Sequence, residues 1–174
     1  MNDLNTLKIH LPYEFLKKTI NISWCDILFG INNNYLNEDN AIDYAIDLLS
    51  DEKYLEDDMV MKIAILQRGD STISYIEKIV DSSCIKNEQE TKEKFLYSLL
   101  SFVYENKEKY DDSFEMVEVI YEDFGCPNEI SSFVRYMPIK EPPLSTKELN
   151  EKRMYQYWKD YLNFQSKKYG KKGL

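Results

Sequence analysis

Carboxylates are the groups of this 174-residue chain best placed to do chemistry, and they crowd into two stretches. Glu115, Glu118 and Glu122 are spaced i, i+3, i+7 and would share one ridge of a helix, with Asp123 beside Glu122 but about 100° round the axis. A glycosidase needs two carboxylates opposed across a cleft, which neighbours on one helix do not supply. Asp57 and Asp58, with Asp51, Glu52 and Glu56, could ligate a divalent cation, but their spacing is not that of a D-x-[DN]-x-[DN]-G calcium loop. Acids in a first helical turn instead complement the helix dipole. His10 could serve as a base, but it is the only histidine, and neither GxSxG nor a papain-like cysteine signature accompanies it. The five glycines form neither GxGxxG nor GxxxxGK[ST]. The expectation is a binding protein rather than an enzyme, with no catalytic residues, metal or cofactor. Its partner-contacting residues would be Glu118, Tyr121, Glu122 and Asp123, then Asp57 and Asp58.

Charge decides which partners suit such a surface. A formal net charge of −9 opposes nucleic-acid binding through phosphate neutralisation and repels anionic membranes. It favours a basic protein partner, because complementary charge raises the association rate. Fourteen Tyr and eight Phe are many; Tyr is favoured at interfaces, although packing in the core accounts for most aromatic rings. Cys25, Cys84 and Cys126 are far apart and form no CxxC pair, which fits neither a disulfide framework nor a zinc motif. They read as small buried hydrophobes in a reducing compartment. The start, MNDLNTLKIHLPYEF, has no basic region followed by a continuous apolar one, and no run approaches the roughly 18 apolar residues that span a bilayer. A cytoplasmic location is expected, without membrane or nucleic-acid partners.

The elements that must position these acids read as helices from end to end. Pro12 opens one with Phe15, Leu16 and Ile20; Ser23 caps a second with Trp24, Ile27 and Leu28, ending near Gly30 and the Asn32–Asn34 turn. Asn37 caps the clearest, where Ala41, Ile42, Ala45, Ile46, Leu48 and Leu49 follow the i, i+3, i+4, i+7 rule. Further helices are expected over Asp57–Gln67 (Met59, Ile63 and Leu66 inward), from Ser71 or Thr72, and over Asn87–Lys107, Ser113–Phe124 and Pro127–Met137. After a Pro-containing connector, a last one follows Ser145 with Met154, Tyr157, Trp158, Tyr161 and Leu162 on one face. Gly125 past one helix and Pro127 opening the next predict a tight corner. The fold class is all-α: a single multi-helix bundle over residues 1–169, or HEAT-like stacked pairs, with a frayed tail at 170–174. Charge is uneven. Residues 37–58 hold nine acids and one lysine, residues 105–129 nine acids and two lysines, and residues 147–174 eight bases and three acids.

Three groups of residues carry a resemblance to a known family: Ile120-Tyr121-x-Asp123-Phe124, then Pro127-x-Glu129-Ile130, then Phe133-Val134-x-Tyr136-Met137-Pro138. With Ser23-Trp24 and the late Trp158 near Tyr161-Leu162, they make the chain resemble the bacterial family of unknown function DUF2247 over about residues 10–165. It departs from that pattern at Glu122, where alanine is expected. The resemblance implies no active site. It implies by type a small acidic protein encoded beside a secreted polymorphic toxin: an immunity protein that binds and blocks a basic toxin domain. The alternative is a helical-repeat adaptor or scaffold that binds a peptide or protein without catalysis.

Overall fold

The computed structural model describes residues 4–80, 88–138 and 141–170. Among them regular structure is helical, with no strand, as the all-α expectation required. The helices are α1 (Tyr13–Thr19), α2 (Trp24–Asn32), α3 (Asp39–Leu48), α4 (Asp58–Ala64), α5 (Ile73–Ile79), α6 (Glu88–Glu105), α7 (Ser113–Asp123) and α8 (Lys147–Tyr169). Short 3-10 turns occupy Glu52–Tyr54, Lys107–Lys109 and Asn128–Phe133. Lengths run from 7 residues in α1 to 23 in α8, which is not the uniform unit of a stacked array. The residues gather into two compact units, one of Lys8–Lys17 and Ile22–Glu93 and the other of Met1–Leu7, Lys18–Asn21 and Lys94–Leu174. They are called the N-terminal and C-terminal units below.

In the N-terminal unit, local chemistry sets the helix ends. Ser23 and Asp26 form a capping box at α2: the Ser23 hydroxyl accepts from the Asp26 N–H at 3.3 Å and the Asp26 carboxylate accepts from the Ser23 N–H at 2.8 Å. Asn34, at φ 58°, ends α2 in a Schellman motif, with Tyr35 N–H on the Gly30 carbonyl and Asn34 N–H on that of Ile31. Asn37 caps the entry to α3 reciprocally with Asn40, each side-chain oxygen accepting the other's N–H, at 3.0 and 3.2 Å. Leu16, Ile27, Ala41, Ile42, Ala45, Val60, Ile63 and Ile76 are buried, with α4 against α3 and α5 against α2 and α4. Helix α4 stops at Ala64, short of the expected Gln67. There the chain turns through Gly69 at φ 90°, and the Gln67 N–H is taken by the Asp70 carboxylate at 2.9 Å.

The C-terminal unit is organised round Trp158. This fully buried ring stacks on Phe133 (5.9 Å, 6°) and Tyr155 (6.2 Å, 9°) and meets the edge of Tyr104 at 5.2 Å. Its stripe on α8 buries Met154, Tyr161, Gln165 and Tyr169, whereas the expected Tyr157 and Leu162 are half-buried. Helix α7 buries Phe114, Val117, Ile120 and Tyr121. The expected helix over Pro127–Met137 is instead a six-residue 3-10 turn, Asn128–Phe133, packed on α8, with Val134 extended at ψ 119°. Pro127 is itself extended, and the Ser131 hydroxyl donates to the Asn128 carbonyl at 2.7 Å, offering the backbone a local alternative to the α-helix. Asn87, Cys84, Lys140 and all of the expected tail except Gly170 lie outside the described residues.

Candidate partner-binding surfaces

The α7 acids are largely engaged within the C-terminal unit. Asp112 caps the helix through Oδ1, accepting from the N–H groups of Phe114 (3.0 Å) and Glu115 (3.2 Å), while its Oδ2 meets Arg135 at 2.5 Å. Arg135 then forks onto Glu118, Nε to Oε1 at 2.8 Å and Nη2 to Oε2 at 3.0 Å. Partial burial works against ionisation of Asp112, but the hydrogen bonds from Arg135 and the capping N–H groups prevail and lower its pKa. The Arg135 pKa is raised, first by its bond to Glu118. The Tyr121 ring is buried, its hydroxyl donating to Met137 Sδ at 3.6 Å. Glu122 is exposed and accepts from the Tyr136 hydroxyl at 3.1 Å. Asp123 is clasped by Thr6, whose N–H and hydroxyl donate to its two oxygens at 3.0 and 2.6 Å. Of the four α7 residues singled out from the sequence, Glu122 alone stands exposed.

The acids of residues 37–58 divide in two. Those on and just before α3 have internal partners. Glu38 accepts from the Ser71 hydroxyl at 3.0 Å, from the Thr72 N–H and from the Ile73 N–H at 3.3 Å, so it caps α5 in place of Thr72, whose own side chain makes no cap bond. Burial opposes its ionisation, but these donors hold its pKa below the usual carboxylate value. Asp39 accepts the Gly69 N–H at 2.8 Å, and Asp43 pairs with Arg68. Asp47 pairs with Lys17 at 2.5 Å and accepts from the Tyr13 hydroxyl at 2.6 Å.

The acids of residues 51–58 are exposed and mostly uncommitted. Asp51 holds Lys53 at 3.1 Å, and Asp57 caps α4, accepting from the N–H groups of Met59 (3.0 Å) and Val60 (3.1 Å). Glu52, Glu56 and Asp58 have no side-chain partner among the described residues. Beside them three apolar side chains face water: Leu55 at 49% exposure, Met61 at 44% and Ile65 at 76%. Met59, Ile63 and Leu66 mark the inward side of the sequence periodicity; Met61 and Ile65, one turn apart on the opposite side, are the signal in the sequence for this exposed face.

A cleft of about 550 Å³ opens in the C-terminal unit between the α7 N-terminus and the first turns of α8. Lys107, Asp111, Asp112, Arg135, Lys147 and Tyr155 are among its lining residues, and the Ser113 and Tyr155 hydroxyls share a 2.8 Å hydrogen bond beside it. Among the described residues no group of three or more His, Cys, Asp or Glu is placed to hold a metal ion, and no helix is long and apolar enough to cross a membrane. Two cysteines depart from expectation. Cys126 is exposed rather than buried, and Cys25 is disulfide-bonded, which removes the support that three reduced thiols would lend to a cytoplasmic location.

Fold and surface together define an all-α protein whose carboxylates are partly built into its helix ends and partly left in solvent. The chain belongs to the bacterial family DUF2247, described as an uncharacterized protein conserved in bacteria, whose model matches residues 13–166. No curated protein and no solved structure matches it.

Proposed function

We propose that this is a non-catalytic binding protein, an immunity protein that covers a basic domain of a cognate secreted bacterial toxin. The observation that carries the reading is the set of exposed carboxylates at residues 51–58, of which Asp51 holds Lys53 and Asp57 caps α4, while Glu52, Glu56 and Asp58 have no ion pair among the described residues. Uncompensated surface charge of one sign steers an oppositely charged protein and raises its association rate. The net charge of −9 adds a long-range field of the same sign. The direct test is co-production with the toxin domain encoded beside its gene. Rescue of growth and a stoichiometric complex are expected, and the absence of a neighbouring toxin gene, or of rescue and complex, would reject the reading. A cytoplasmic location goes with it and is read by cell fractionation; recovery from the periplasm with Cys25 oxidised would move the encounter there.

The alternative, a non-catalytic adaptor or scaffold holding a peptide, has one observation in its favour: the 550 Å³ cleft, with charges of both signs along its walls. Peptide protection of Tyr155 and Lys147 from chemical modification would favour it over the toxin reading.

A further inference from the structure

Exposed apolar side chains scattered singly over a surface are ordinary, whereas a contiguous set with a polar rim marks an interface. Leu55, Met61 and Ile65 fall within eleven residues of chain, with Met61 on α4 and Ile65 four residues on, at the helix's C-cap. Asp58, three residues before Met61, lies on the same ridge. The helix buries Val60 and Ile63 against the N-terminal unit, so the exposed ridge is its other side. Close to it along the chain are the exposed Glu52, Glu56 and Asp58, none with a side-chain partner among the described residues. The contrast with α3 sharpens the point. There Asp43 and Asp47, equally acidic in sequence, are occupied by Arg68 and Lys17.

From this juxtaposition we infer that the outer face of α4, with Leu55 leading into it, is the docking surface for a protein partner that presents an apolar centre ringed by lysine and arginine. The inference rests on the binding-protein reading above and assigns its site to the α4 ridge rather than to α7. Charge complementarity selects the occupant. A second copy of this ridge would bring like charges together, whereas basic side chains would satisfy the three free carboxylates. The apolar anchors supply most of the affinity and the acidic rim most of the rate and salt dependence.

The test uses the full chain, isotope-labelled, titrated with a synthetic amphipathic helix of lysine and leucine as probe, followed by NMR at low and moderate salt. Shift changes confined to residues 52–65 are expected, with affinity reduced about tenfold or more in Met61→Glu/Ile65→Glu. The paired substitution Glu56→Lys/Asp58→Lys should flatten the salt dependence, while Glu122→Lys changes neither quantity. If the glutamates disturb folding, Met61→Ser/Ile65→Ser reads the same contact. Failure of the probe to bind, shifts centred on α7 or the cleft, or unaltered binding by the double variant would overturn the assignment. So would sedimentation showing a self-association that both Met61→Glu and Phe164→Glu disperse, which would make the occupant a second copy presenting its basic α8. The same variants tested against the cognate toxin domain separate the two claims. A complex that tolerates them overturns this site alone, whereas no complex at all overturns the functional reading.

Discussion

Asp112 uses one oxygen to cap α7 and the other to hold Arg135, so a single position joins a helix end to an ion pair. Asparagine retains the capping oxygen and loses the charge. Asp112→Asn should therefore cost no more than about 1 kcal/mol, the range of an exposed ion pair. Asp112→Ala loses the cap as well and should cost about 1–2 kcal/mol. Urea midpoints of the two variants check that order. Glu38 is the corresponding case in the N-terminal unit, capping α5 from another element. Its pKa is lowered in the folded state, so its contribution is fully present above the unfolded carboxylate value of about 4.3 and disappears as pH falls through the folded value. Glu38→Gln should be less stable than wild type near neutrality, and the gap should close as the pH is lowered below the unfolded value and through the depressed folded one; thermal melts on the acid side of neutrality decide it. A gap that does not narrow would mean that the charge on Glu38 contributes nothing.

At the scale of elements, the exit from α7 is a Schellman motif: Cys126 N–H bonds the Tyr121 carbonyl at 2.8 Å and Gly125 N–H that of Glu122 at 3.0 Å. Gly125 sits at φ 76°, and a Cβ there would meet nothing within 4 Å, so the cost of a side chain is conformational rather than steric contact. Gly125→Ala should lose about 1–2 kcal/mol, or several degrees in Tm. Cys126, also left-handed at φ 59°, should tolerate glycine with little loss of stability. Melting curves of the pair test both statements. The corner was legible from Gly and Pro alone, as were α3 from its apolar spacing and Asn37 from its capping chemistry. The segment after Pro127 was not, for a geometric reason. Ile130 and Phe133 are spaced i, i+3, which places both side chains inward in a 3-10 turn as well as in an α-helix. Periodicity cannot separate the two when the run is six residues long.

For the molecule as a whole, the balance of charge matters less than where it is compensated. Residues 37–58 look uniformly acidic in sequence, yet the acids before Ser50 meet Lys17, Arg68, the Gly69 N–H or the α5 N-terminus, whereas after it only Asp51 meets a cation, its near neighbour Lys53. No local rule could sort them, because the sorting cations and N–H groups come from distant segments of chain. Arg135 does the same for Asp112 and Glu118. Repulsion among the free acids should make the protein more stable as salt is raised from about 0.05 to 0.5 M, where screening shortens the reach of each charge. In Glu52→Gln/Glu56→Gln that gain should shrink; an equal gain in both proteins, measured by thermal unfolding, would place the repulsion elsewhere. The two compact units each hold one of the chain's two tryptophans. Trp24 lies edge-on to Tyr44 at 4.8 Å in the N-terminal unit, and Trp158 lies dry between stacked rings in the C-terminal unit. The molecule thus carries two built-in optical reporters: Trp24→Phe leaves a blue-emitting signal from one unit, Trp158→Phe leaves the half-exposed signal of the other, and a difference between their unfolding curves would show the units melting apart.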